Sequence, residues 1–71
     1  MVTKENIEQK LREQIEKVYL IRSHIIIGDY QQELDLLEIM EGSALSNNLL
    51  TENEIKEIKN TIEERMGKII E

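Results

Sequence analysis

Seventy-one residues with no cysteine, one histidine and a net charge of −6 exclude a disulfide scaffold and any thiolate or histidine-rich metal centre. A chain this short buries only about 60% of its unfolded surface, which leaves helix packing and self-association as its stabilising devices. Residues 1–27 carry +1 and residues 55–71 carry zero, whereas residues 28–54 hold seven acids and no Lys or Arg, a balance that repels phosphates and suits a basic protein partner.

The polar start Met1-Val2-Thr3-Lys4-Glu5-Asn6 is unlike a signal-peptide core. The apolar run Val18–Ile27 is too short to span a bilayer. These features predict a single cytoplasmic domain over residues 1–71 that contacts neither membrane nor nucleic acid directly. With no proline, and glycine only at 28, 42 and 67, its segments should be long and few.

Thr3 is a good N-cap, and the first helix is expected from there to about Ile27. Ile7, Leu11, Ile15, Val18 and Ile25 form one stripe at helical spacing. Glu13 and Lys17 are placed for an i,i+4 pair. Val18–Ile27 is apolar nearly all round, so it needs cover on more than one side. Its β-branched residues also suit a buried strand, but no turn residue separates it from the helical pattern before it.

Gly28-Asp29 reads as a stop and a start. Gly28 is expected in the left-handed conformation that ends a helix. Asp29 should cap the next helix, with Gln32 completing a capping box. The second helix is expected over Tyr30–Glu41, ending at Gly42. Tyr30, Leu34 and Leu37 lie on one side and Leu36, Ile39 and Met40 on another, so this helix also needs two neighbours. Gln31, Asp35 and Glu38 form its polar ridge. Gly42–Asn48 is expected as a loop, with Leu45 tucked onto the core.

Thr51-Glu52-Asn53-Glu54 is a capping box, and Leu50 with Ile55 is placed for a hydrophobic staple. The third helix then carries Ile55, Ile58, Ile62, Met66 and Ile69 on one stripe. The expected lengths are roughly 37, 18 and 28 Å.

Catalytic inventory is thin. Ser23 and His24 are neighbours on a predicted helix and point apart, so no nucleophilic triad is expected. His24 could act as a pH switch, since histidine is the side chain type that ordinarily changes charge within the physiological range; a half-covered edge histidine is the plainer reading. Glu33, Asp35, Glu38 and Glu41 are oxygen donors that suit Mg²⁺ or Ca²⁺, but they lack a loop of alternating ligands. They read better as a solvated face, or as a docking ridge for Lys and Arg of a partner. Tyr19 and Tyr30, the only aromatics, fit an interface or a core edge equally well. No metal or cofactor is expected.

Gln32-Glu33-Leu34-Asp35 resembles the Ser-Gln-Glu-Leu-Asp signature of the small sporulation-type aspartyl-phosphate phosphatases. Those are helical hairpins that dock on a response regulator and promote loss of its phosphate. The resemblance implies that Gln32, Glu33 and Asp35 face a phosphoaspartyl site. Gln31 stands where the signature has serine, the apolar run ending in Ile27 replaces the usual loop, and a third helix is added.

The expectation is therefore an all-α three-helix bundle, with a long, a short and a medium helix, dimeric through Ile21, Ile25 and Ile26. Its function is expected to be that of a non-enzymatic regulator or inhibitor contacting a protein partner through Tyr30, Gln31, Asp35 and Glu38. An antagonist of a basic nucleic-acid-binding protein is the sharpest form of that reading. The phosphatase and a small secretion chaperone or adaptor are the alternatives.

Overall fold

A computed structural model describes the backbone of residues 3–70 and the side chains of residues 3–67. It holds three α-helices, α1 (Lys4–Arg22), α2 (Tyr30–Ser46) and α3 (Glu52–Ile70), within about 35 × 23 × 18 Å. The helices have 19, 17 and 19 residues, so the expected long, short and medium series is replaced by three near-equal rods.

Each start is set by local chemistry. Thr3 Oγ1 accepts from Asn6 N at 3.2 Å and Asp29 Oδ1 from Gln32 N at 3.1 Å. The reciprocal bond expected from the Gln32 side chain is not made. The capping box of α3 is complete: Thr51 Oγ1 accepts from Glu54 N at 3.2 Å, and Thr51 N donates to Glu54 Oε1 at 3.1 Å. Leu50 and Ile55 are both buried, as the staple requires.

The ends of α1 and α2 differ from expectation. α1 stops at Arg22, five residues before Ile27, so the run Val18–Ile27 is helix as far as Arg22 and turn beyond it. His24 takes the left-handed conformation at φ 61, so the stop comes four residues before Gly28. His24 N donates to Ile21 O at 3.0 Å and Ile25 N to Leu20 O at 2.9 Å, the paired bonds of a Schellman motif. Gly28 has no positive φ. Its missing Cβ instead permits close approach, since a Cβ there would lie 2.6 Å from Ile21 Cδ1.

α2 runs straight through Gly42, and the expected loop over Gly42–Asn48 is helix as far as Ser46. It ends in the same motif: Asn48 at φ 55, with Asn48 N donating to Leu45 O and Leu49 N to Ala44 O. The extra turn brings Ala44, fully enclosed, into the core, and leaves Leu45 exposed where it was expected to tuck in.

α1 is the central rod. It packs on both α2 and α3, while α2 and α3 meet only slightly. The core joins Ile7, Leu11, Ile15 and Val18 of α1 to Ile55, Ile58, Ile62 and Met66 of α3. The expected stripes are therefore seen, apart from Ile25, which is exposed, and Ile69, whose side chain lies outside the described residues. α2 buries only Leu37 and Ala44.

Ion pairs link the rods. Lys4 pairs with Glu54 and Arg65 with Glu16 across α1 and α3. Lys17 pairs with Glu33 at 3.3 Å across α1 and α2, and not with Glu13, which accepts from Gln9 instead. Lys59 pairs with Glu41 at 2.6 Å across α2 and α3.

Candidate protein-binding surface

Because α2 buries so little, its side chains remain available. Among the described residues, the exposed large apolar side chains are Ile25, Ile26, Ile27, Tyr30, Leu36, Ile39 and Leu45. All lie on the α1–α2 turn or on α2. Ile27 is fully exposed and Ile39 is 67% exposed. The same segment carries most of the acidic excess. Exposed apolar surface flanked by charge is the usual mark of an interaction site.

The residues expected at a partner contact fall on this segment. Tyr30 is 39% exposed at the start of α2. Gln31 and Asp35 are exposed and tied together, Gln31 Nε2 donating to Asp35 Oδ1 at 2.9 Å. Glu38 is exposed one turn further on. Of the residues expected at a dimer contact, Ile25 and Ile26 are exposed in the turn. Ile21 is buried within the chain, beneath Gly28.

Gln32-Glu33-Leu34-Asp35 occupies the first turns of α2 and splits between two directions. Gln32 and Asp35 point to solvent. Glu33 turns inward: Gln14 Nε2 of α1 donates to Glu33 Oε2 at 2.7 Å and to Glu33 O at 2.9 Å. Gln14 is itself buried. Its bond, with Lys17 beyond it, holds the Glu33 carboxyl below the usual carboxylate range. Glu33 thus fastens α2 to α1. The sequence signal for Gln14 was its place on the apolar stripe, three residues after Leu11 and four before Val18. The outward Leu36 and Ile39 were foreshadowed by the second apolar side of this helix.

Between α2 and α3 runs a groove. Its half near the turn is a hollow of about 210 Å³ with Tyr19, Tyr30, Leu34 and Leu37 in its walls. The other half, about 280 Å³, is walled by Glu41, Leu45, Ile55 and Lys56. Lys59 lines both. Each hollow is below the roughly 300 Å³ at which small-molecule sites begin, and suits inserted side chains. Burial pushes the Tyr19 phenol up to about 12, and the neighbouring Glu63 carboxylate adds to the shift.

No cluster of three or more metal-binding side chains occurs among the described residues. No helix there is long and apolar enough to cross a membrane. Comparison with protein-family models, curated proteins and solved structures finds no match.

Proposed function

We propose that this chain is a small protein-binding regulator of the cytoplasm that docks on a basic partner through the segment Ile25–Leu45 and acts without catalysis of its own. One observation carries the reading: the exposed large apolar side chains and the acidic excess coincide on this segment. Apolar contact supplies affinity, and the ridge of Asp35 and Glu38 steers a Lys/Arg-rimmed surface onto it. A basic nucleic-acid-binding protein presents such a surface, and blocking it would make the chain an antagonist. The exposed Ile25 and Ile26 support pairing with a second copy at the turn end, with Ile21 as the packed base beneath them.

The test is affinity capture from the host, repeated with Asp35→Asn/Glu38→Gln. The double variant should retain its helical signal, bind more slowly and show a flatter dependence of on-rate on salt. An unchanged rate and salt slope would remove the electrostatic part of the reading. For self-association, Ile25→Glu should shift a dimer toward monomer in sedimentation. A wild-type chain that stays monomeric at high concentration would remove the dimer.

A second reading is favoured by the exposure of Gln32 and Asp35 on the first turns of α2, beside the open turn. In that reading the chain docks on a response regulator and promotes loss of its aspartyl phosphate. Gln32 and Asp35 would face the phosphate, while Glu33 acts structurally. Gln32→Ala would then abolish dephosphorylation while binding survives.

A further inference from the structure

We propose that the α1–α2 turn is a hinge and that a second copy pairs by exchange: α1 and α2 join into one continuous helix, and α1 of each chain packs on α2 and α3 of the other. This rests on the self-association proposed for Ile25 and Ile26 and gives it a geometry. The helical pattern on both sides of the turn passes through it unbroken. Ile7, Leu11, Gln14, Val18 and Ile21 follow one another at a 4-3-4-3 interval and are all buried in α1. The next place on that row is Ile25, which is 52% exposed because α1 stops at Arg22. From the other side, Ile27 stands three residues before the row Tyr30, Leu34, Leu37, Glu41 and Ala44, spaced 4-3-4-3. That row holds both buried residues of α2, Leu37 and Ala44. Rows at this spacing are the seams along which helices pair.

Little in the turn opposes a joined helix. It contains no proline, and Gly28 has no positive φ. The turn depends instead on His24 held at φ 61, where a Cβ crowds the backbone. A helix from Lys4 to Ser46 would be roughly 65 Å long. It gives up the Asp29 cap and sets Gly28 inside a helix, but covers three isoleucines. The register within one chain says what they meet. Gln14 lies against Glu33 and Ile21 against Gly28, so a pair that keeps these contacts has its two-fold axis midway between them, at about residue 24. Ile25 of one chain then lies beside Ile25 of the other, and Gly28 still admits an Ile21, now from the second copy. Three isoleucines meeting tip to tip fall short of the roughly 800 Å² per partner that a stable pair buries. Exchange adds the whole surface of α1, since α2 and α3 meet only slightly and both pack on it.

The absence of cysteine makes the test direct. Glu16 of α1 pairs with Arg65 of α3, a contact that exchange moves from within one chain to between two. Glu16→Cys and Arg65→Cys are prepared as separate full-length chains, mixed, passed through partial unfolding and refolding at high concentration, and treated with a short bis-maleimide. An exchanged pair brings the two thiols together, and the covalent dimer should exceed that of either variant alone by about tenfold or more. His24→Gly relieves the turn in both chains of the pair, so it should raise the dimer dissociation constant about tenfold or more in sedimentation. His24→Ala favours helix over the left-handed turn and should lower it. A dimer in sedimentation without the mixed covalent product would be a side-by-side pair; it would overturn the exchange and leave self-association standing. A chain that stays monomeric at high concentration, even as His24→Ala, would overturn both. Capture of a basic partner through α2 is unaffected by either result.

Discussion

Gln14 holds α2 against α1, and Gln14→Ala measures how much of the fold depends on that clamp. The side chain is buried and its amide makes two bonds, to Glu33 O and Glu33 Oε2. Truncation removes one buried methylene, about 0.8 kcal/mol, and the neutral bond to the carbonyl, about 1 kcal/mol. The carbonyl itself lies in a helix, which limits the penalty. These terms give roughly 2 kcal/mol before any contribution from the carboxylate, against a total of roughly 4–10 kcal/mol for a domain of this length. Thermal unfolding should fall by about 8–16 °C.

The carboxylate part is read from pH. Glu33 has its pKa depressed in the folded chain, first by Gln14 and then by Lys17. A depressed carboxyl contributes stability above its unfolded pKa and loses it as pH falls through the folded value. Removing Gln14 removes part of that contribution. The gap between wild type and variant in urea unfolding should therefore be widest near neutrality and narrow below the usual carboxylate range. A gap under about 0.5 kcal/mol, the same at both pH values, would show that Gln14 does not hold α2 as described.

Three further substitutions test the local chemistry. Thr51→Ala should cost about 1 kcal/mol by losing the bond from Glu54 N, seen as a lower urea midpoint. Gly42→Ala should add roughly 0.5–1 kcal/mol, since Gly42 sits inside α2 and a Cβ there meets nothing within 4 Å; a loss would mean that α2 breaks at this glycine. His24→Gly should raise the melting temperature by relieving the left-handed conformation at φ 61, worth up to about 1 kcal/mol, whereas a fall would point to a contact made by the imidazole.

The start of α3 was legible to the residue because its determinants are adjacent in the chain. Leu50, Thr51, Glu54 and Ile55 supply cap and staple without help from elsewhere. The helix ends were less legible because they answer to packing. Gly42 looks like a stop, yet continuing α2 through it places Ala44 against the core and lets Ala44 O accept from both Leu49 N and Leu50 N. That tertiary gain exceeds the roughly 1 kcal/mol cost of a helical glycine. Gly28 looks like a left-handed cap, but His24 takes that role and Gly28 serves the approach to Ile21. The acidic ridge of the candidate surface was visible from spacing. The groove was not, because it arises from how two helices share a third.

The division of burial among the helices also separates stability from recognition. α1 and α3 interlock through two long apolar stripes and two ion pairs, so their inward residues are committed to the fold. α2 is held by Leu37, Ala44, the Glu33 clamp and the Lys59–Glu41 pair. That is enough to fix its place and orientation while leaving most of its circumference open. An exposed leucine or isoleucine contributes little to the isolated chain, since surface changes usually fall within about 0.5 kcal/mol. Leu36 and Ile39 therefore gain no explanation from folding, and neither does an apolar turn of three isoleucines ending in the fully exposed Ile27. The physical case for a partner thus rests on the one helix that the fold uses least.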